Sequence, residues 1–185
     1  FRTFKQQEYA QYDRLLAHCF GYYLVLMGES DKNAVSGSPV NHCFVVQQNH
    51  DNDVDGVVAL HHALPFGVNS TDVAVLSHVM ENTARPRELL EELDVILQED
   101  GAVLVSGFVP VRPQATALRK AHLAGRQKHG HRMRSSVMKK MLKEHGYDII
   151  HVRYYGGDGG MLESCLPWLQ PAYAILAKKS MRRIR

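Results

Sequence analysis

Short apolar runs of strand length recur along this chain, and their spacing limits the fold more than any other feature. YLVLM (23–27), HCFVVQQ (42–48), GVVAL (56–60), DVAVLSH (72–78), AVLVSGF (102–108), YDIIHVRYY (147–155) and AYAILAKK (172–179) read as strands. Several are apolar throughout rather than alternating, as strands buried on both faces are. Helical stretches lie between them. Residues 4–20 place Tyr9, Tyr12, Leu15, Leu16 and Cys19 at helical spacing. Pro86 opens a helix with the stripe Leu89, Leu90, Leu93, Ile96 and Leu97, and Glu88, Glu91, Glu92 and Asp94 face out or lie near its start. Asp100-Gly101 reads as a turn into the fifth strand, and Val137, Met138, Met141 and Leu142 mark a later helix that Gly146 ends. Strands alternating with helices predict a mainly parallel sheet covered on both faces, with the last two strands as an antiparallel edge pair.

A length of 185 residues suits a single domain, 1–185. No apolar run approaches the roughly 18–20 residues of a membrane span, and the opening residues do not read as a secretory signal. Cys19, Cys43 and Cys165 are far apart, and no Cys/His spacing suits zinc, so a reducing, cytoplasmic setting and no metal are expected. The net charge of +3 is unevenly placed. Between Arg112 and Lys143 stand ten Lys/Arg and no acid, whereas Glu81–Asp100 holds seven acids against two arginines. The basic segment 112–143 reads as a helical insert. It is either a solvated surface balanced by its acidic neighbour or a face that attracts anions, nucleic acid included. No aromatic side chain interleaves it, as base stacking would require, so nucleic acid is the less favoured partner.

The run LVLMGES (24–30) ends its strand on Gly28 and then Glu29, a turn in which backbone amides can meet a phosphate or ribose. Downstream, LPF (64–66), Asp72 before the fourth strand, SHVMEN (77–82) after it, the Pro86 helix, the DG turn, GFVPVRP (107–113) and the closing YAILAKK follow in order. This ordered set resembles the class I S-adenosylmethionine-dependent methyltransferases, in particular a subgroup of small bacterial enzymes with a GF-x-P segment after the fifth strand. The resemblance covers most of the chain. It implies an α/β fold, a three-layer α/β/α sandwich with a seven-stranded, mostly parallel sheet of order 3-2-1-4-5-7-6 in which strand 7 is antiparallel. It also implies a cofactor cleft at the carboxyl ends of strands 1 to 4.

By that resemblance Gly28 and Glu29 meet the methionine end of the cofactor, and Gln47 and Gln48 the ribose. One of His61 and His62 reaches the adenine, and Ser77 and His78 lie beside the methyl group. Adjacent strand residues point to opposite faces, so His61 and His62 do not chelate one metal. Imidazoles titrate near neutrality in general, which makes His78 the candidate general base, with Glu81 close by; the competing reading is that His78 only packs. Phe108, Pro110 and Arg112 line the acceptor side, where Arg112 would suit an acidic small molecule. The chain also departs from the family pattern. Ser30 and Lys32 replace the second and third glycines of the cofactor loop, Leu26 replaces the acid before it, glutamines replace the acid ending strand 2, and Leu60 replaces the aspartate before LPF. Two functions follow from these facts: a methyltransferase acting on a small molecule, or a relative that kept the fold as a binding or regulatory module. An RNA or protein acceptor draws only on the basic segment.

Overall fold

The computed structural model describes residues 2–29, 31–48, 56–110, 113–122, 133–157 and 170–180. Arg112 and part of the basic segment lie outside them. Helix α1 (Arg2–Leu16) leads into β1 (Tyr23–Met27), followed by a one-turn 3-10 helix (Lys32–Val35), β2 (His42–Gln47), the two-residue β3 (Val57–Val58) and β4 (Thr71–Ser77). Helix α2 (Pro86–Ile96) precedes β5 (Leu97–Phe108), and α3 (Pro113–His122), α4 (Ser135–Glu144), β6 (Tyr147–Tyr155) and β7 (Ala172–Lys179) follow.

The sheet order is β3-β2-β1-β4-β5-β7-β6, and β7 runs antiparallel to both β5 and β6. This is the order and orientation that the resemblance to the methyltransferases implied. The central strands are apolar throughout because each faces a layer on both sides. Leu24, Leu26, Val73, Val75 and Leu104 pack with Phe4, Tyr12, Leu15 and Leu16 of α1 and Ala115 of α3. Val25, Met27, Ala74, Leu76, Val103 and Val105 pack on the opposite face with Leu89, Leu90 and Leu93 of α2 and Met138, Met141 and Leu142 of α4. Each fully buried Val, Leu or Met among them gains about 1.5–3 kcal/mol from leaving water.

Four local readings need correction. Strand β3 is two residues rather than the five of GVVAL. Asp100-Gly101 does not turn the chain: β5 already begins at Leu97, and pairing shifts register between Thr71↔Leu97 and Val73↔Ala102. Helix α2 stops at Ile96 because Leu97 swings to an extended conformation, φ −74° and ψ 137°. There Lys179 Nζ donates to the carbonyls of Asp94 (2.6 Å) and Leu97 (3.1 Å), supplying donors that the helix end lacks. In α1 the buried stripe is Phe4, Glu8, Tyr12, Leu15 and Leu16, so a carboxylate stands where the pattern pointed to Tyr9, which is only half-buried.

Candidate functional site

Parallel strands in register end at one edge, and here that edge gathers most of the residues singled out by sequence. Met27 of β1 lies opposite Val46 of β2 and Leu76 of β4, and Ser77 lies opposite Ser106 of β5. Gly28 and Glu29, Gln47 and Gln48, Ser77 and His78, and Phe108 therefore sit at or just beyond the same line of strand ends. Ligands of open α/β sheets bind at such an edge.

The turn after β1 is held by Gly28 at φ +81°. A Cβ there would lie 2.1 Å from the Ser77 carbonyl oxygen and 2.6 Å from Val79 Cγ2. Packing of β1 against the end of β4 thus demands the glycine whatever the turn binds. Glu29 follows, 7% exposed, and forms an ion pair with Lys5 from the first turn of α1. Its Oε1 also accepts from the Asp31 amide at 3.4 Å. The 3-10 helix beyond is one turn long, and the Asp31 side chain caps it by accepting from Asn33 N at 2.9 Å. Ser30 lies outside the described residues.

On the β2 side, the Gln47 amide nitrogen is buried with no hydrogen-bond partner among the described residues. Gln48 Nε2 is 3.1 Å from His61 Nδ1. Burial, with a smaller push from His62, lowers His61 to about 4, so near neutral pH its ring is uncharged. A neutral Nδ1 then accepts from the Gln48 amide. His62 is exposed. The structure thus separates the two histidines, bringing His61 to the edge and leaving His62 at the surface.

The ends of β4 and β5 are closed over by α1. His78 takes a left-handed conformation, φ +55°, and is fully buried. Its ring stacks on Phe108 at 4.0 Å, and Phe4 stacks on Phe108 (5.7 Å) and Tyr155 (5.6 Å). Glu8 Oε1 lies 2.8 Å from His78 Nε2 and also accepts from the hydroxyls of Tyr155 (2.7 Å) and Tyr12 (3.1 Å). Tyr12 in turn shares a 2.6 Å bond with Ser106 Oγ, which accepts from the His78 amide at 3.2 Å. Burial alone would raise the Glu8 carboxyl, but His78, Tyr155 and Lys5 outweigh it and hold the pKa below the ordinary value. Burial and the Glu8 charge push both tyrosines well above theirs.

Glu81 lies just past this cluster, 2% exposed, and accepts from the Phe108 amide. Burial pushes its pKa up to about 7 against the pull of His78, that amide and Arg119. Arg119 Nε of α3 stands 3.6 Å from Glu81 Oε2, close enough for an ion pair though not for a hydrogen bond. Pro110 is half-buried beyond β5. Lys5, Glu8 and Arg119 are absent from the residues that sequence reasoning proposed. One signal was present for Glu8: Phe4, Glu8, Tyr12 and Leu16 follow one another at four-residue steps, with the carboxylate inside an apolar stripe.

Comparison with known proteins bears on the fold. In sequence, 48 residues are 42% identical to a stretch of the uncharacterized protein YafS of Escherichia coli K12, covering 26% of this chain and 20% of that protein. In structure, the chain solved in complex with the Trm112 methyltransferase activator of Haloferax volcanii superposes with a TM-score of 0.71 at 11% identity. That superposition covers 100% of this chain and 94% of the other. An S-adenosylmethionine-dependent methyltransferase of Archaeoglobus fulgidus superposes with a TM-score of 0.68 at 13% identity, over 92% of this chain and 90% of its own. The family model of the methyltransferase domain matches residues 7–152, from α1 into β6. With that match and the sheet order, the chain belongs to the methyltransferase-domain family.

Proposed function

We propose that this protein binds S-adenosylmethionine at the carboxyl edge of the sheet and transfers a methyl group to a small-molecule acceptor. One observation carries the reading: the Gln47 amide nitrogen, buried at the end of β2 without a partner among the described residues. A buried donor left unpaired costs about 1–3 kcal/mol, which a ligand hydroxyl at this position would relieve. The other edge residues fit the same group. Gln48 orients the neutral ring of His61 toward an adenine edge, and Glu29 offers a carboxylate to an ammonium. When bound, S-adenosylmethionine supplies an electrophilic methyl group on a sulfonium.

The protein's task is then to align an acceptor and exclude water rather than to form a covalent intermediate. His78 is committed to Glu8 and to the Phe108 ring, so it anchors α1 over the edge and leaves the acceptor to be aligned by its neighbours. Phe108 and Pro110 border the acceptor side, with Glu81 facing it from the turn after β4 and Arg119 from α3. A second reading, a fold retained as a binding module, draws on the burial of Ser77, His78 and Phe108 beneath Phe4 and Glu8.

The test is incubation of the purified protein with methyl-labelled S-adenosylmethionine and a small-molecule extract, with RNA and protein fractions in parallel. Label in the small-molecule fraction supports the proposal. Label in RNA or protein moves the acceptor to another class, and label in none favours the binding module.

A further inference from the structure

We infer that Lys5 and Glu29 form a clamp for the amino-acid end of S-adenosylmethionine, an inference that rests on the methyltransferase reading. It starts from a shortage of partners for an anion. The turn after β1 carries Gly28 and then side-chain-bearing residues, so backbone amides are less open to close approach than in a glycine-rich loop. The helix beyond is a single 3-10 turn whose first donors are already met by Asp31. A ligand carboxylate at this turn therefore needs a cation from elsewhere in the fold.

Helix α1 brings one. Phe4, one residue before Lys5, is wedged against Phe108 and Tyr155, and Glu8, three residues after it, is bonded to His78. Both contacts are buried, so the Lys5 backbone is held at the strand ends by rigid packing. The ammonium lies against Glu29 and 5.5 Å from the centre of the Tyr9 ring, with the Lys5 side chain 20% exposed.

An amino-acid terminus carries an ammonium and a carboxylate on one carbon. A lysine paired with a glutamate is its complement. On binding, Glu29 exchanges Lys5 for the ligand's ammonium while Lys5 takes the ligand's carboxylate. One ion pair becomes two, and neither protein charge is left buried alone, which is the condition for such groups to contribute favourably. Lys32, in the 3-10 helix after the turn, is exposed.

The experiment compares calorimetric titrations with S-adenosylhomocysteine and with 5′-methylthioadenosine, which has the same adenosine and thioether but lacks the amino-acid end. Wild-type protein is expected to favour S-adenosylhomocysteine by about 100-fold, and Lys5→Ala to lose about tenfold or more of that preference with methylthioadenosine affinity unchanged. Lys5→Arg restores the preference, and Lys32→Ala leaves it intact. Unchanged or tighter binding of S-adenosylhomocysteine by Lys5→Ala overturns the clamp, as does equal loss of both ligands, which marks a structural role. Wild-type binding of both ligands alike overturns the clamp and leaves the methyltransferase reading standing. Binding of neither overturns both.

Discussion

Gly28 and Gly146 share nearly the same backbone conformation but different surroundings, so substituting alanine at each separates two costs. Gly28 lies at φ +81° and Gly146 at φ +83°, both in the left-handed region. A side chain there costs about 1–2 kcal/mol from backbone sterics alone. Around Gly146 a Cβ would meet nothing within 4 Å, so Gly146→Ala reads the backbone cost by itself. At Gly28 the Cβ would stand 2.1 Å from the Ser77 carbonyl oxygen, a backbone atom of a central strand that cannot step aside. Overpacking of this kind adds about 1–3 kcal/mol, for a total of about 2–5 kcal/mol. Both variants gain equally from a stiffer unfolded chain, so that effect cancels in the comparison. In urea, with a slope of ~2 kcal/mol per molar, the Gly28→Ala midpoint should fall about 0.5–1.5 M below that of Gly146→Ala. Equal midpoints would refute the argument that β1 and β4 demand the glycine by close approach.

Two buried carboxylates give further tests. Glu81 is raised to about 7 from an ordinary 4.5, so its stability is full below the unfolded value and is lost as pH rises toward 7. Glu81→Gln keeps an acceptor for the Phe108 amide but should remove about 2–3 kcal/mol of that loss between about pH 5 and pH 7. His61, lowered to about 4 from 6.5, works in the opposite sense over an overlapping range, and the difference between variant and wild type cancels it. Urea midpoints with the same pH dependence in both proteins would contradict the Glu81 assignment. Glu8 accepts from three buried donors, and Glu8→Ala should cost about 3–5 kcal/mol, with Glu8→Gln milder because it keeps an acceptor. Thermal melts of the two variants read this ordering, and matched losses would argue against the hydrogen-bond account.

The strand positions and the mainly parallel sheet were legible because parallel strands covered on both faces leave unbroken apolar runs such as YLVLM and AVLVSGF, whereas the strand order came from the resemblance to the methyltransferases. The edge residues followed from the same resemblance, and Gly28, Gln47 and Ser77 lie at or just past the ends of strands that pair in register. What escaped the sequence came from contacts across long separations. Glu8 stands inside an apolar stripe of α1, but its partner shows only when His78, 70 residues away, is placed against it. Lys5 and Arg119 are ordinary helix cations until Glu29 and Glu81 are found buried beneath them. His61 and His62 are equivalent in sequence, and only the folded loop buries one and exposes the other. The apparent turn at Asp100-Gly101 misled because β4 begins its pairing with β5 at Leu97, before the register shift at Ala102.

The central claim is that this edge, with a single glycine in the turn after β1, still binds the methyl donor. Calorimetric titration of the wild-type protein with S-adenosylhomocysteine tests it most directly. The account predicts one-to-one binding in the micromolar range. No heat up to millimolar ligand, from a sample that melts cooperatively, would contradict it.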